Sequence, residues 1–196
     1  MTPSPARLAI TTVLLAAVLT LGAGCAEAPE QAPPAATTAP ATASDFGGTD
    51  IAWVQLMIPM DEQLLPVLDL VPRRTADQAL IRLAADLRAR YTSEIQQLKA
   101  LRARAGLDES NPHAGHRMPG LVDAESLATI GGTDGAEFEL KVAECLRTHL
   151  DQLASLARSE LTNGTSAAVK DLARQVEASR TAGLAKLPAS GAAGGG

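Results

Sequence analysis

Residues 75–101 read TADQALIRLAADLRARYTSEIQQLKAL, and this stretch decides the fold. Leu80, Leu83, Leu87, Tyr91, Ile95, Leu98 and Leu101 recur at steps of three and four residues, the spacing that lines one face of an α-helix. Arg, Asp, Glu, Gln and Lys fill the positions between them, so the opposite face is built for water. Thr75 with Gln78 three residues later has the form of a capping box, and Gly106 supplies a stop. A helix with one apolar stripe cannot hide it alone, so partner helices are required.

The flanking sequence supplies them. Upstream, Trp53, Leu56, Met57, Met60, Leu64 and Leu68 predict a helix from Thr49 or Asp50 to about Leu70, with a kink or break at Pro59 and Pro66. Downstream, a connector rich in Asp, Asn, Pro and His leads to a short helical turn from Asp123 to Ile130, stopped by Gly131 and Gly132. A long helix follows from Thr133 or Asp134 to Leu161, facing Val142, Leu146, His149, Leu153 and Leu156 inward. Asn163-Gly164 ends it, and a last helix begins at Thr165 or Ser166 and aligns Val169, Leu172, Val176 and Leu184. A shift of 89 residues places Leu64 on Leu153, Leu83 on Leu172, Leu87 on Val176 and Leu98 on Leu187 without a gap. The expected fold is therefore all-α: an antiparallel four-helix bundle built from two repeated helical hairpins, with the connector between Leu107 and Val122 crossing it.

Composition narrows the function. Aromatic residues make up 2% of the 196-residue chain, which disfavours an all-β fold. The net charge is −5 and no run of Lys or Arg exceeds two, so the electrostatic footprint of a nucleic-acid binder is missing. Before the helices, Arg7 precedes an apolar stretch from Leu8 to Leu21 that is too short to span a bilayer, followed by the small residues Gly22, Ala23 and Gly24. This is the form of an export signal. Leu21-Gly22-Ala23-Gly24-Cys25 resembles a bacterial lipoprotein signal, which implies acylation of Cys25; plain secretion is the alternative. The expected organisation is a signal peptide over 1–24, a flexible Ala/Pro/Thr-rich tether over 25–45, the bundle over 46–187 and a disordered tail over 188–196. The expected location is extracytoplasmic, with the membrane as partner through the lipid anchor.

Three stretches carry a family resemblance: Asp50-Ile-Ala-Trp-Val-Gln-Leu-Met-Ile-Pro-Met-Asp-Glu-Gln, the connector His116-Arg-Met-Pro-Gly120, and Ala136-Glu137-Phe138 leading to Ala157-Arg-Ser-Glu-Leu161. They resemble the bacterial domain-of-unknown-function-305 family. The resemblance implies a ferritin-like four-helix bundle, export, and copper bound through methionine and histidine. Its hallmarks are Met-Ile-Pro-His-His in the first helix, a His-Gly-Met-Pro-Gly connector, and Met-Met-Ile-x-His-His in the third. Here Met57 matches, the first His-His pair is Met60 and Asp61, and of the second pair His149 remains, followed by Leu150. The connector keeps His116 and Met118 and adds His113.

The candidate metal donors are thus Met57, Met60, Asp61, His113, His116, Met118, Cys145 and His149. Their sulfur content favours Cu(I), with Zn(II) an option only where Cys145 and the histidines converge. Each donor also has a plainer reading. Met57 and Met60 sit at core spacing, where methionine is a filler. His149 lies on a Leu-lined face, where a neutral His bonded to a carbonyl is ordinary, although Cys145 four residues earlier projects on the same side. The connector donors can be solvated polar residues. No Glu-x-x-His, Gly-x-Ser-x-Gly, phosphate loop or Cys-x-x-Cys occurs, so a catalytic role is not expected. Two functions remain: copper buffering or handover at the cell envelope, or a metal-free structural or interaction module on the same bundle. Convergence of the donors separates them.

Overall fold

A computed structural model describes residues 45–187. The signal, Cys25, nearly all of the tether and the tail lie outside the described residues. Five helices follow one another: α1 (Gly48–Arg74), α2 (Gln78–Arg104), α3 (Ala124–Gly131), α4 (Gly135–Asn163) and α5 (Ala167–Lys186). No strand occurs among the described residues. α1 packs along α2 and α4 along α5; the hairpins meet through α1 against α4 and, more narrowly, α2 against α5.

Two contacts between the hairpins fix the directions of the helices. At one end, Arg74 at the close of α1 donates to the Thr133 carbonyl and, at 2.7 Å, to Asp134 Oδ1 at the start of α4. At the other, Asp50 in the first turn of α1 accepts from Thr165 and Ser166, which join α4 to α5. α1 and α4 therefore run antiparallel, as do α2 and α5, and the connector that includes α3 carries the chain from one end of the bundle to the other. Each hairpin turn is three residues long, 75–77 and 164–166, and these too are related by the shift of 89.

Two local expectations are corrected. α1 is unbroken from Gly48 to Arg74 although it contains Pro59, Pro66 and Pro72. Each proline removes one intrahelical donor, but Met57, Met60, Leu64, Val67, Leu68 and Val71 are buried along the same helix, and that packing holds it as one element. α2 does not open with a Thr75–Gln78 capping box. Its N-cap is Asp77, whose Oδ1 accepts from Ala79 N at 2.7 Å and Leu80 N at 3.2 Å. Thr75 instead closes α1, accepts from Asp77 N at 2.9 Å, and donates to Glu139 on α4. A carboxylate two residues on outcompetes the threonine because its charge matches the positive end of the helix dipole.

The leucine stripes form one core. Leu87, Leu98, Leu146, Leu150 and Leu153 are buried in it, while Leu156 and Leu184 pack against its edge, half-buried. The inward line of α5 contains a residue that hydrophobic spacing passes over: Arg180, midway between Val176 and Leu184, is completely buried.

Candidate functional site

Of the sequence-derived donors, Met57, Met60, Asp61 and His149 are all 0% exposed in the bundle interior. His149 is brought there by the apolar register of α4 and is oriented by the connector. Its Nδ1 bonds the Gly120 carbonyl at 2.7 Å, which makes Nδ1–H the donor and leaves Nε2 with its lone pair. Gly120 has φ +79°, and a Cβ there would lie 3.1 Å from the His149 Cα, so glycine lets the connector come this close to α4. Burial, reinforced by the positive charge of Arg180, lowers the His149 pKa to about 3 against the smaller opposing effect of the Gly120 bond. The imidazole is neutral at physiological pH, and its buried Nε2 has no hydrogen-bond partner among the described residues.

Asp61 is committed elsewhere. Its Oδ1 accepts from Arg180 Nη2 at 3.1 Å, and Glu94 Oε1 on α2 accepts from the same nitrogen at 2.6 Å. The Arg180 guanidinium also lies 4.0 Å over the Tyr91 ring, whose centroid is 5.6 Å from that of His149. One cluster thus joins α1, α2, α4 and α5. Burial and the neighbouring Glu94 charge push the Asp61 carboxyl well above the usual range, with Arg180 pulling the other way. Burial likewise raises the Tyr91 phenol.

The other donors lie apart. Cys145 is a half-buried free thiol, and burial pushes its pKa to about 11, so it is protonated and a poor ligand at neutral pH. It opens onto a cavity of about 540 Å³ that also touches Arg117, Ser126, Lys141, Glu144 and Thr148. The His113 and His116 rings sit 5.8 Å apart, but His116 is exposed on the connector. Met118 is partly buried against the core and lines a second cavity with His116, Gln63 and Leu127. No group of three or more His, Cys, Asp or Glu among the described residues is arranged to hold a metal ion. The residues present do not fit the paired-histidine copper site that the resemblance implies. Asp61 faces a guanidinium, Leu150 stands where the second histidine of α4 would be, and the donors divide among core, cavity and connector.

Tyr91, Glu94 and Arg180 are absent from the sequence-derived set of donors. Their signal is nevertheless present: Glu94 lies three residues after Tyr91 and four before Leu98, and Arg180 four after Val176. Charges of opposite sign on the apolar faces of two helices mark a buried ion pair.

Residues 50–190 match the model of a family described as Domain of unknown function (DUF305). Among solved structures, a DUF305 fragment from Deinococcus radiodurans is similar at 17% identity and a TM-score of 0.65, covering 72% of this chain and 94% of that one. A candidate secreted protein of the same family from Streptomyces coelicolor is similar at 19% identity and a TM-score of 0.64, covering 71% of this chain and 89% of that one. No curated protein matches.

Proposed function

The chain belongs to the domain-of-unknown-function-305 (DUF305) family, and on that premise we propose that it is an exported, non-catalytic helical module that folds and works without a metal ion. The observation that carries this reading is the contact of Arg180 Nη2 with Asp61 at 3.1 Å: the one carboxylate among the core donors already has its cation. A second ion would have to displace a buried guanidinium, which leaves a charge uncompensated in the core.

Export is supported by the apolar stretch Leu8 to Leu21 and the small residues before Cys25, and by the relative from Streptomyces coelicolor whose name classes it with secreted proteins. Acylation of Cys25 anchors the module at the membrane, and stable anchoring takes more than one lipid chain. Cys25→Ser is expected to move the protein from the membrane fraction to the soluble fraction. A wild-type protein that is already soluble would count against the anchor.

A second reading is copper buffering or handover at the envelope, and one observation favours it. His149 has the arrangement of a metal-ligating imidazole, Nδ1–H held by a carbonyl and Nε2 bare, in the same interior as the thioethers of Met57 and Met60. Competition of the full chain with a Cu(I) chelator decides between the two. Under the metal-independent reading the wild type removes no copper from the chelator. Copper uptake that disappears in a Met60→Leu, His149→Ala variant would establish the second reading instead.

A further inference from the structure

Charge is divided unevenly over the bundle. Helices α2 and α5 together carry ten Lys or Arg against four Asp or Glu, whereas the rest of residues 45–187 carries six against sixteen. The two helices meet along one side, where Lys186 Nζ reaches Asp86 Oδ2 at 3.2 Å, while α3 packs on α1 and α4. An acidic chain therefore has one basic face. On the flank of α2 next to α1, Arg88 and Lys99 are paired with Asp69 and Glu62. Arg82, Arg90 and Arg104 are exposed and form no ion pair among the described residues. Spaced by eight and fourteen residues, they fall within an arc of about 80° on the opposite flank from Arg88 and Lys99. Arg90 also lines the groove between α2 and α5, a space of about 370 Å³ with Gln175 and Ser179 on its other wall.

We propose that the α2–α5 face rests on the headgroups of an anionic phospholipid bilayer, with Arg82, Arg90 and Arg104 as its contacts and the acidic α1–α4 side turned away. The proposal rests on the reading above that Cys25 is acylated, which places the bundle beside a membrane. The twenty residues from Cys25 to Asp45 span at most about 70 Å. That exceeds the roughly 40 Å length of α2, so a chain anchored at Cys25 has the reach to lie with α2 along the surface. An anionic surface attracts this face and repels the acidic one, which selects a single orientation. An unpaired guanidinium suits phosphate because its fork bonds two oxygens at once. Each such arginine favours the surface by a factor of about five. Screening over about 8 Å at physiological ionic strength keeps the sum small. The face therefore orients a tethered module, whose effective concentration at the surface is already high, and does not hold a free one there.

The test uses the full chain with Cys25→Ser, which removes the lipid, and follows its sedimentation with vesicles at low ionic strength, where charges act over about 30 Å. Binding is expected to vesicles of phosphatidylglycerol and phosphatidylcholine in equal parts, and little to phosphatidylcholine alone. Arg82→Gln, Arg90→Gln and Arg104→Gln together should lower the affinity at least about tenfold. These side chains are exposed and unpaired, so the fold is expected to survive, with helical circular dichroism as the check. Arg73→Gln, Arg117→Gln and Lys141→Gln together remove the same charge outside α2 and α5 and should lower it far less. Equal binding to both vesicles, equal losses in the two triple variants, or no sedimentation with either vesicle overturns the proposal. Each of these leaves the acylation reading intact, because fractionation of the chain with Cys25 in place tests that reading separately. Self-association without lipid that disappears with the Arg82, Arg90 and Arg104 substitutions would overturn it too, by assigning the face to the acidic side of a second copy.

Discussion

Arg180→Met, with Asp61 and Glu94 left in place, is expected to destabilise the bundle by about 3–5 kcal/mol, the range for removing one partner of a buried ion pair. At this chain length that corresponds to a fall of roughly 10 °C in melting temperature. The methionine replaces much of the lost volume, so the cost is electrostatic rather than a cavity. Asp61 is 0% exposed and Glu94 6% exposed, and neither has water within easy reach to replace the guanidinium. The stacking of the guanidinium on Tyr91 is lost too. Replacing all three at once, as Asp61→Leu, Glu94→Leu and Arg180→Met, should recover most of the loss, because an apolar cluster of similar volume carries no desolvation cost. The single and triple variants, compared by denaturant unfolding, separate charge from packing. An Arg180→Met protein as stable as wild type would show that the ion cluster contributes nothing to stability.

The sequence conveys the helices well because their stripes are long and regular. α2, α4 and α5 lie within about two residues of where Leu80 through Leu101, Val142 through Leu153 and Val169 through Val176 place them, apart from the Thr75 cap. The cap is not legible in the sequence because Thr75 and Asp77 are both competent and the choice depends on Glu139, which lies 64 residues away and engages Thr75. The continuity of α1 through its prolines is a tertiary effect for the same reason: local propensity opposes it and burial on α2 and α4 decides. The site was harder to read. The spacing of Met57, Met60 and His149 marks them as buried, but Asp61 has the form of a ligand until its partner is found. That partner lies 119 residues away, and an arginine on an apolar stripe reads as an interruption of the pattern until an acid on another helix is found opposite it.

Asp50 is the second residue whose loss should be costly, and its signature is a pH profile. One carboxylate ties the start of α1 to the start of α5. Its Oδ2 accepts from Gly47 N at 2.6 Å and Thr165 Oγ1 at 2.8 Å, and its Oδ1 accepts from Thr165 N at 3.1 Å and Ser166 N at 3.0 Å. Asp50→Ala removes the acceptor of the Gly47 N–H at the start of α1 and leaves the buried Ser166 N–H at the start of α5 without a partner, a loss of about 2–4 kcal/mol. Glu160 is fully buried on α4 beside Asp50, neither of its carboxyl oxygens has a hydrogen-bond partner among the described residues, and of the two acids it is the one that keeps its proton. Burial, aided by the proximity and the charge of Asp50 and opposed by Lys170, raises its pKa from 4.5 to about 8. Burial works against ionised Asp50 as well, but the protonated Glu160 beside it and the bonds from Thr165, Gly47 and Ser166 prevail and bring its pKa to about 2. The two shifts act on opposite sides of neutrality. The Asp50 contribution is present above its unfolded pKa of 3.8 and disappears as pH falls through about 2. The Glu160 contribution is complete below 4.5 and disappears as pH rises through about 8, because the unfolded chain releases a proton that the folded chain retains. Thermal melts should therefore show stability declining from pH 5 to pH 9. Glu160→Gln, whose amide is neutral at every pH, should flatten that decline and melt above wild type at pH 9. Parallel profiles for wild type and Glu160→Gln across this range would mean that the carboxyl pair does not hold its proton, and the corner where α1 meets the α4–α5 turn would then be held by the bonds from Gly47, Thr165 and Ser166 to Asp50 alone.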